Sequence, residues 1–86
     1  MRQVISVPVS VTLEYNSKSR KVLPKLVHWD DQDYPVVRVG YHHTFREGRT
    51  LFHIFSVDTS SLFFRLRLNT NNLGWTLEEI SDGEVD

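Results

Sequence analysis

The sequence predicts an all-β protein: a six-stranded antiparallel meander curled into a small, partly open barrel or roll, with a two-layer β-sandwich as the alternative. Three observations carry this. Between Val36 and Leu77 the runs VVRVGYHHTF, LFHIFSV, LFFRLRL and WTL alternate apolar and polar residues and are separated by turn residues. The N-terminal stretch VISVPVSVTLEY keeps the same period of two over eleven residues. Finally, no window of useful length has helical periodicity. Six twisted strands on so short a chain protect their edges by curling.

In the first strand Ile5, Val7, Val9, Val11, Leu13 and Tyr15 share one face, with Ser6, Ser10, Thr12 and Glu14 on the other. Pro8 cannot donate a ladder hydrogen bond, which puts the strand at a sheet edge or bulges it there. Asn16 to Ser19 turns the chain through side-chain-to-backbone bonds. A second strand spans about Val22 to Trp29, and the acidic turn Asp30–Asp33 returns it at Tyr34, with Trp29 beside Tyr34 as an aromatic pair. The third strand covers Val36 to Phe45, and Arg46–Thr50 is read as a five-residue loop. The fourth is Leu51–Val57, the fifth Leu62–Asn69, and the last runs from Trp75 to about Ile80.

Registering the hairpins about these turns gives two faces. The core face takes Val37, Val39, Tyr41, His43, Phe45, Leu51, His53, Phe55, Val57, Leu62, Phe64, Leu66, Leu68, Trp75 and Leu77. The other takes Arg38, Gly40, His42, Thr44, Phe52, Ile54, Ser56, Phe63, Arg65, Arg67, Thr76 and Glu78, with Arg65 opposite Glu78. A one-residue slip would move a whole strand's set to the wrong side.

Composition bounds the function. The 86 residues make one domain, residues 1–80, followed by an acidic tail, 81–86, expected to be disordered. There is no cysteine, which removes disulfides, thiolate metal sites and thiol nucleophiles and fits a cytoplasmic protein. The N-terminal stretch reads as a strand, not as a signal peptide or membrane span. Net charge is -1, yet Glu78 to Asp86 holds five acids and no base, leaving ten bases against six acids in the body. A basic body suits weak polyanion binding.

No phosphate loop, nucleophile elbow or metal-hydrolase motif occurs, so no enzymatic activity and no cofactor are expected. The register sets His43 opposite His53, a candidate metal pair that lacks a third and fourth ligand and reads better as a hydrogen-bonded pair. Asp30, Asp31 and Asp33 lack the glycine and bidentate glutamate of a calcium loop and read as a charged turn. The face bearing Arg38, Phe52, Phe63, Arg65 and Arg67, with Lys21 from the basic run Lys18–Lys25, has the composition of a platform for single-stranded nucleic acid. The competing reading covers the Phe52, Ile54 and Phe63 strip with the first strand, a protein partner or a second copy as a homodimer. Membrane association is not expected.

The order of Pro24, Leu26 or Val27, Trp29, Tyr34, Val36 or Val37 and Val39, then LFHIFSV, FFRLRL and Trp75-Thr76-Leu77-Glu78, resembles a group of small uncharacterised bacterial β-proteins, some linked with translesion DNA polymerase genes. It covers about residues 22–80, with a shorter loop between the third and fourth strands. The resemblance implies a bacterial setting, a small β-barrel and no catalytic residue. Together these readings describe a non-enzymatic binding module: an accessory protein contacting nucleic acid, or a protein-interaction or self-association module.

Overall fold

The computed structural model describes residues 1–83, so the last three residues of the expected tail lie outside it. The chain forms seven strands: β1 Arg2–Pro8, β2 Ser10–Asn16, β3 Lys21–Trp29, β4 Gln32–Glu47, β5 Thr50–Thr59, β6 Phe63–Asn69 and β7 Trp75–Ser81. They make one antiparallel sheet in the order β1-β7-β6-β5-β4-β3-β2. The all-β meander is therefore correct, with seven strands in place of six. The extra strand arises because the long first run divides at Pro8 and Val9. Its halves pair with different neighbours, β1 with β7 and β2 with β3.

That division shapes the molecule. β1 and β2 are opposite edges of the sheet, yet only Val9 separates them. The sheet must curl until its edges meet at this residue, whose N–H donates to the Trp75 carbonyl at 3.1 Å. No ladder joins β1 to β2 among the described residues, so the roll stays open. Ser6 takes φ 50° inside the bulge between Val4 and Val7, a local kink near the proline.

The interior is built from Val27, Phe55, Val57, Phe64, Leu66 and Leu77, all fully or almost fully buried. Trp29, Tyr34 and Phe64 plug one end. Trp29 and Tyr34 lie 6.1 Å apart, and both meet Phe64 edge-on at 6.1 and 5.1 Å. The expected aromatic pair is thus present, on a tighter turn. Asp30 and Asp31, at φ 55° and 60°, form a two-residue hairpin, and β4 starts at Gln32 opposite Trp29. The chain end is held as far as Asp82, whose carboxylate accepts from the N-terminal ammonium at 2.6 Å.

The face assignment holds at Val39 and fails beyond it. Val39 pairs with Val57, and Tyr41 pairs with Ser56, so Gly40 is an extra residue, a β-bulge that reverses which side the rest of β4 faces. The loop before β5 is also shorter than expected. Glu47 pairs with Thr50 across Gly48 and Arg49, and Gly48 supplies the positive φ (61°) that a Gly-first tight turn requires. As a result Tyr41, His43 and Phe45 stand on the outer face and His42 turns inward. A second irregularity between Val36 and Arg38 leaves Val36 against the core and Val37 71% exposed.

Candidate ligand cleft

β3 and β4 pair over only four positions, Leu26 to Trp29 with Pro35 to Gln32. Beyond these β4 continues along β5, while the first half of β3 stays with β2. The strands part, and the roll opens opposite its aromatic plug. The opening is a cleft of about 880 Å³, within the range of small-molecule sites.

Its walls are aliphatic: Leu13 from β2, Val22, Leu23 and Pro24 from β3, Val36, Val37 and Val39 from β4, and Leu68 from β6. Phe55 forms the floor. Among the described residues four bases, Arg20, Lys21, Lys25 and Arg38, line the cleft, and no carboxylate does. Lys25 reaches Glu14 at 3.5 Å, and Arg38 grips Asp58 through two bonds of 3.0 and 2.8 Å. The side chains of Arg20 and Lys21 make no ion pair among the described residues.

Two histidines meet over this floor, with His42 itself exposed to solvent. His42 lies flat on Phe55, with ring centroids 4.2 Å apart, and its Nε2 is 2.8 Å from His53 Nδ1. One of these nitrogens donates and the other accepts. The bulge at Gly40 creates this pair, so His53 meets His42 and not His43, which lies across from Ile54 on the outer face. The His43–His53 metal pair is therefore corrected by that one-residue change of register. Among the described residues no three metal-ligating side chains converge. Partial burial, then the charges of His53, His43 and Lys21, hold His42 below its ordinary pKa of 6.5.

The outer face is a different surface. Ile54 is 1% exposed there, between its cross-strand neighbours His43 and Arg67, and needs no foreign partner to bury it. Phe52 is half-buried, stacked on Phe45 at 5.1 Å with the Arg67 guanidinium 5.3 Å above its ring. Glu78 accepts from Arg65 at 3.0 Å and pairs with Arg67 at 3.3 Å. The expected Arg65–Glu78 contact forms, although Glu79 is the direct ladder partner and Glu78 sits at a bulge. Tyr41 packs on His43 at 5.0 Å, and His43 Nδ1 is enclosed without a hydrogen-bond partner among the described residues. Phe63 remains 42% exposed beside Gly83.

No family model, curated protein or solved structure matches this chain. Function must therefore be argued from the residues themselves. The residues read as one nucleic-acid platform fall on two surfaces: Lys21 on the cleft, and Phe52, Phe63, Arg65 and Arg67 on the outer face, where Arg38 also bonds Asp58, the ladder partner of Phe63, although it lines the cleft mouth as well. The acidic turn contributes Asp33 to a different bond, 2.6 Å from His28 Nδ1. A smaller, shallower depression of about 380 Å³ lies where β1 meets β2, between Pro8 and Asp31. Sequence reasoning missed the cleft and the His42–His53 pair. The available signal was Gly40, since glycine inside a strand pattern marks a bulge.

Proposed function

We propose that this protein acts by binding, and that the cleft between β3 and β4 takes an apolar small molecule. One observation carries the reading: interior-facing aliphatic side chains of both halves of the roll are left without a chain segment over them. In a domain this small, leaving such surface open forgoes stabilisation of about 25 cal/mol per Å². A partially closed pocket with aliphatic walls and a few convergent polar groups is the usual form of a small-molecule site.

The same observation ranks the alternatives. Single-stranded nucleic acid is held by exposed aromatic faces along a basic groove. The cleft walls are aliphatic, and on the outer face Arg65 and Arg67 already share the Glu78 carboxylate. A protein partner on the outer strip would gain little from Ile54, which is already buried.

Titration with decanol, followed through methyl ¹H–¹³C NMR spectra, tests the reading. Methyls of Leu23, Val39 and Leu68 should shift saturably, while those of Ile54 on the outer face and of exposed Leu73 stay in place. Shifts confined to the outer face, or none at all, would overturn it.

A further inference from the structure

The polar end of the cleft has a chemistry of its own. Lys21, His42 and His53 line it together, from three different strands. Lys21 is near enough for its charge to act on His42. The pair spends His42 Nε2 and His53 Nδ1 on each other, leaving His42 Nδ1 and His53 Nε2 for a further partner. Arg20 adds positive charge to the lining with no ion pair among the described residues, whereas Lys25 is paired with Glu14.

A group that suits this end is a compact anion accepting hydrogen bonds from an ammonium and an imidazole. One attached to an aliphatic chain would also fill the walls. We infer that the cleft binds an aliphatic carboxylate, with the chain among Leu13, Leu23, Val39 and Leu68 and the carboxylate at Lys21 and the His42–His53 pair. The inference rests on the proposed cleft function and adds the chemical class of the ligand. A neutral amphiphile would leave Lys21 without a counter-charge, and a cationic one would meet the like charge of Lys21.

Binding is then coupled to protons. In the empty cleft His42 favours its neutral form, because partial burial and the charges of His53, His43 and Lys21 oppose the imidazolium. The charges that act on it are those of His53 from β5, Lys21 from β3 and, across the sheet, His43 from β4; the cleft lining also holds Arg20, Lys25, Arg38 and Tyr41, while β2 and β6 bring Leu13 and Leu68 to it. A bound carboxylate stabilises the imidazolium, so the complex takes up a proton. Affinity rises as pH falls from about 8 to about 6, where an ordinary carboxylate remains ionised.

The test compares decanoate, decanol and decylammonium by isothermal calorimetry on the full chain. Decanoate should bind about tenfold or more tightly than decanol, the scale of one charge-assisted contact, and decylammonium weakest. Lys21 is exposed at the first position of its strand, so Lys21→Glu leaves the fold intact and should reverse the order of decanoate and decylammonium. His42→Phe keeps a ring on Phe55 and should weaken the pH dependence of the decanoate-to-decanol ratio, and the double variant His42→Phe/His53→Phe should abolish it. Equal binding of decanoate and decanol, or a ratio unmoved by Lys21→Glu, removes the carboxylate site and leaves the cleft reading standing. Failure of both ligands to bind removes both.

Discussion

The outer face of the sheet and the cleft are built from the same strands and reach opposite ends. On the outer face Ile54 is buried by its own neighbours, Phe52 is capped by Arg67, and Glu78 gathers two arginines. In the cleft, among the described residues, the aliphatic walls lack a cover and Arg20 and Lys21 make no ion pair. Tyr41, Phe45 and Phe63 stay partly exposed on the outer face, but its buried Ile54 and its paired arginines have less left to give a ligand than the open cleft does. The comparison therefore locates function by what remains unsatisfied, where composition alone points to whichever face holds arginine and phenylalanine.

The sharpest way to break this contrast is Ile54→Ala. If the outer face is a finished layer, this residue behaves as core and its loss costs about 2–5 kcal/mol, read from urea unfolding. Val37→Ser, on the cleft's exposed rim, should stay within about 0.5 kcal/mol in the same experiment. Equal costs at the two positions would erase the distinction.

A smaller effect is expected from the outer ion pairs. Glu78→Gln releases Arg65 and Arg67 together and should cost about 1 kcal/mol or less, since both guanidinium groups remain partly solvated. The loss should shrink as salt is added. A short single-stranded oligonucleotide at low salt should shift the outer-face amides little in the wild type, because these charges are engaged. Strong shifts at Phe52, Phe63, Arg65 and Arg67, reversed by salt, would reinstate the nucleic-acid reading for that face.

The smallest effect is a pH dependence of stability. His42 has a lowered pKa in the folded chain, so near and below its ordinary value of 6.5 the unfolded chain binds more protons. Stability therefore rises with pH through that window and falls as the solution is acidified. His42→Phe should flatten this part of the profile of Tm between about pH 5 and 8. An unchanged slope would assign it to other groups.

Much of this was legible in the sequence, and the failures have a single physical root. Alternation gave the strands, and Pro8 correctly flagged an edge and a kink, because a residue without an N–H cannot sit in a central ladder. It did not reveal that the kink hands the chain from β7 to β3, since alternation carries no information about which strand lies alongside. The side-chain period of a strand is two, so one residue decides everything downstream. Reading Arg46–Thr50 as a five-residue loop, and Gly40 as an ordinary strand residue, moved β4 by that one residue. Val39 stayed right, while Tyr41, His43 and Phe45 were inverted, and His43 was given the partner that belongs to His42. The cleft itself was not readable, because it depends on where β3 and β4 separate, a property of sheet curvature and not of pattern.

The measurement that tests the central claim most directly is an isotope-filtered NOE experiment on the protein with decanoate. Contacts are seen only within a few ångström, so the two surfaces cannot be confused. The account predicts cross-peaks from the chain protons to methyls of Leu23, Val39 and Leu68 and to the rings of His42 and Phe55. Cross-peaks to Phe45, Phe52 or Phe63 in their place would contradict it and return the search to the outer face.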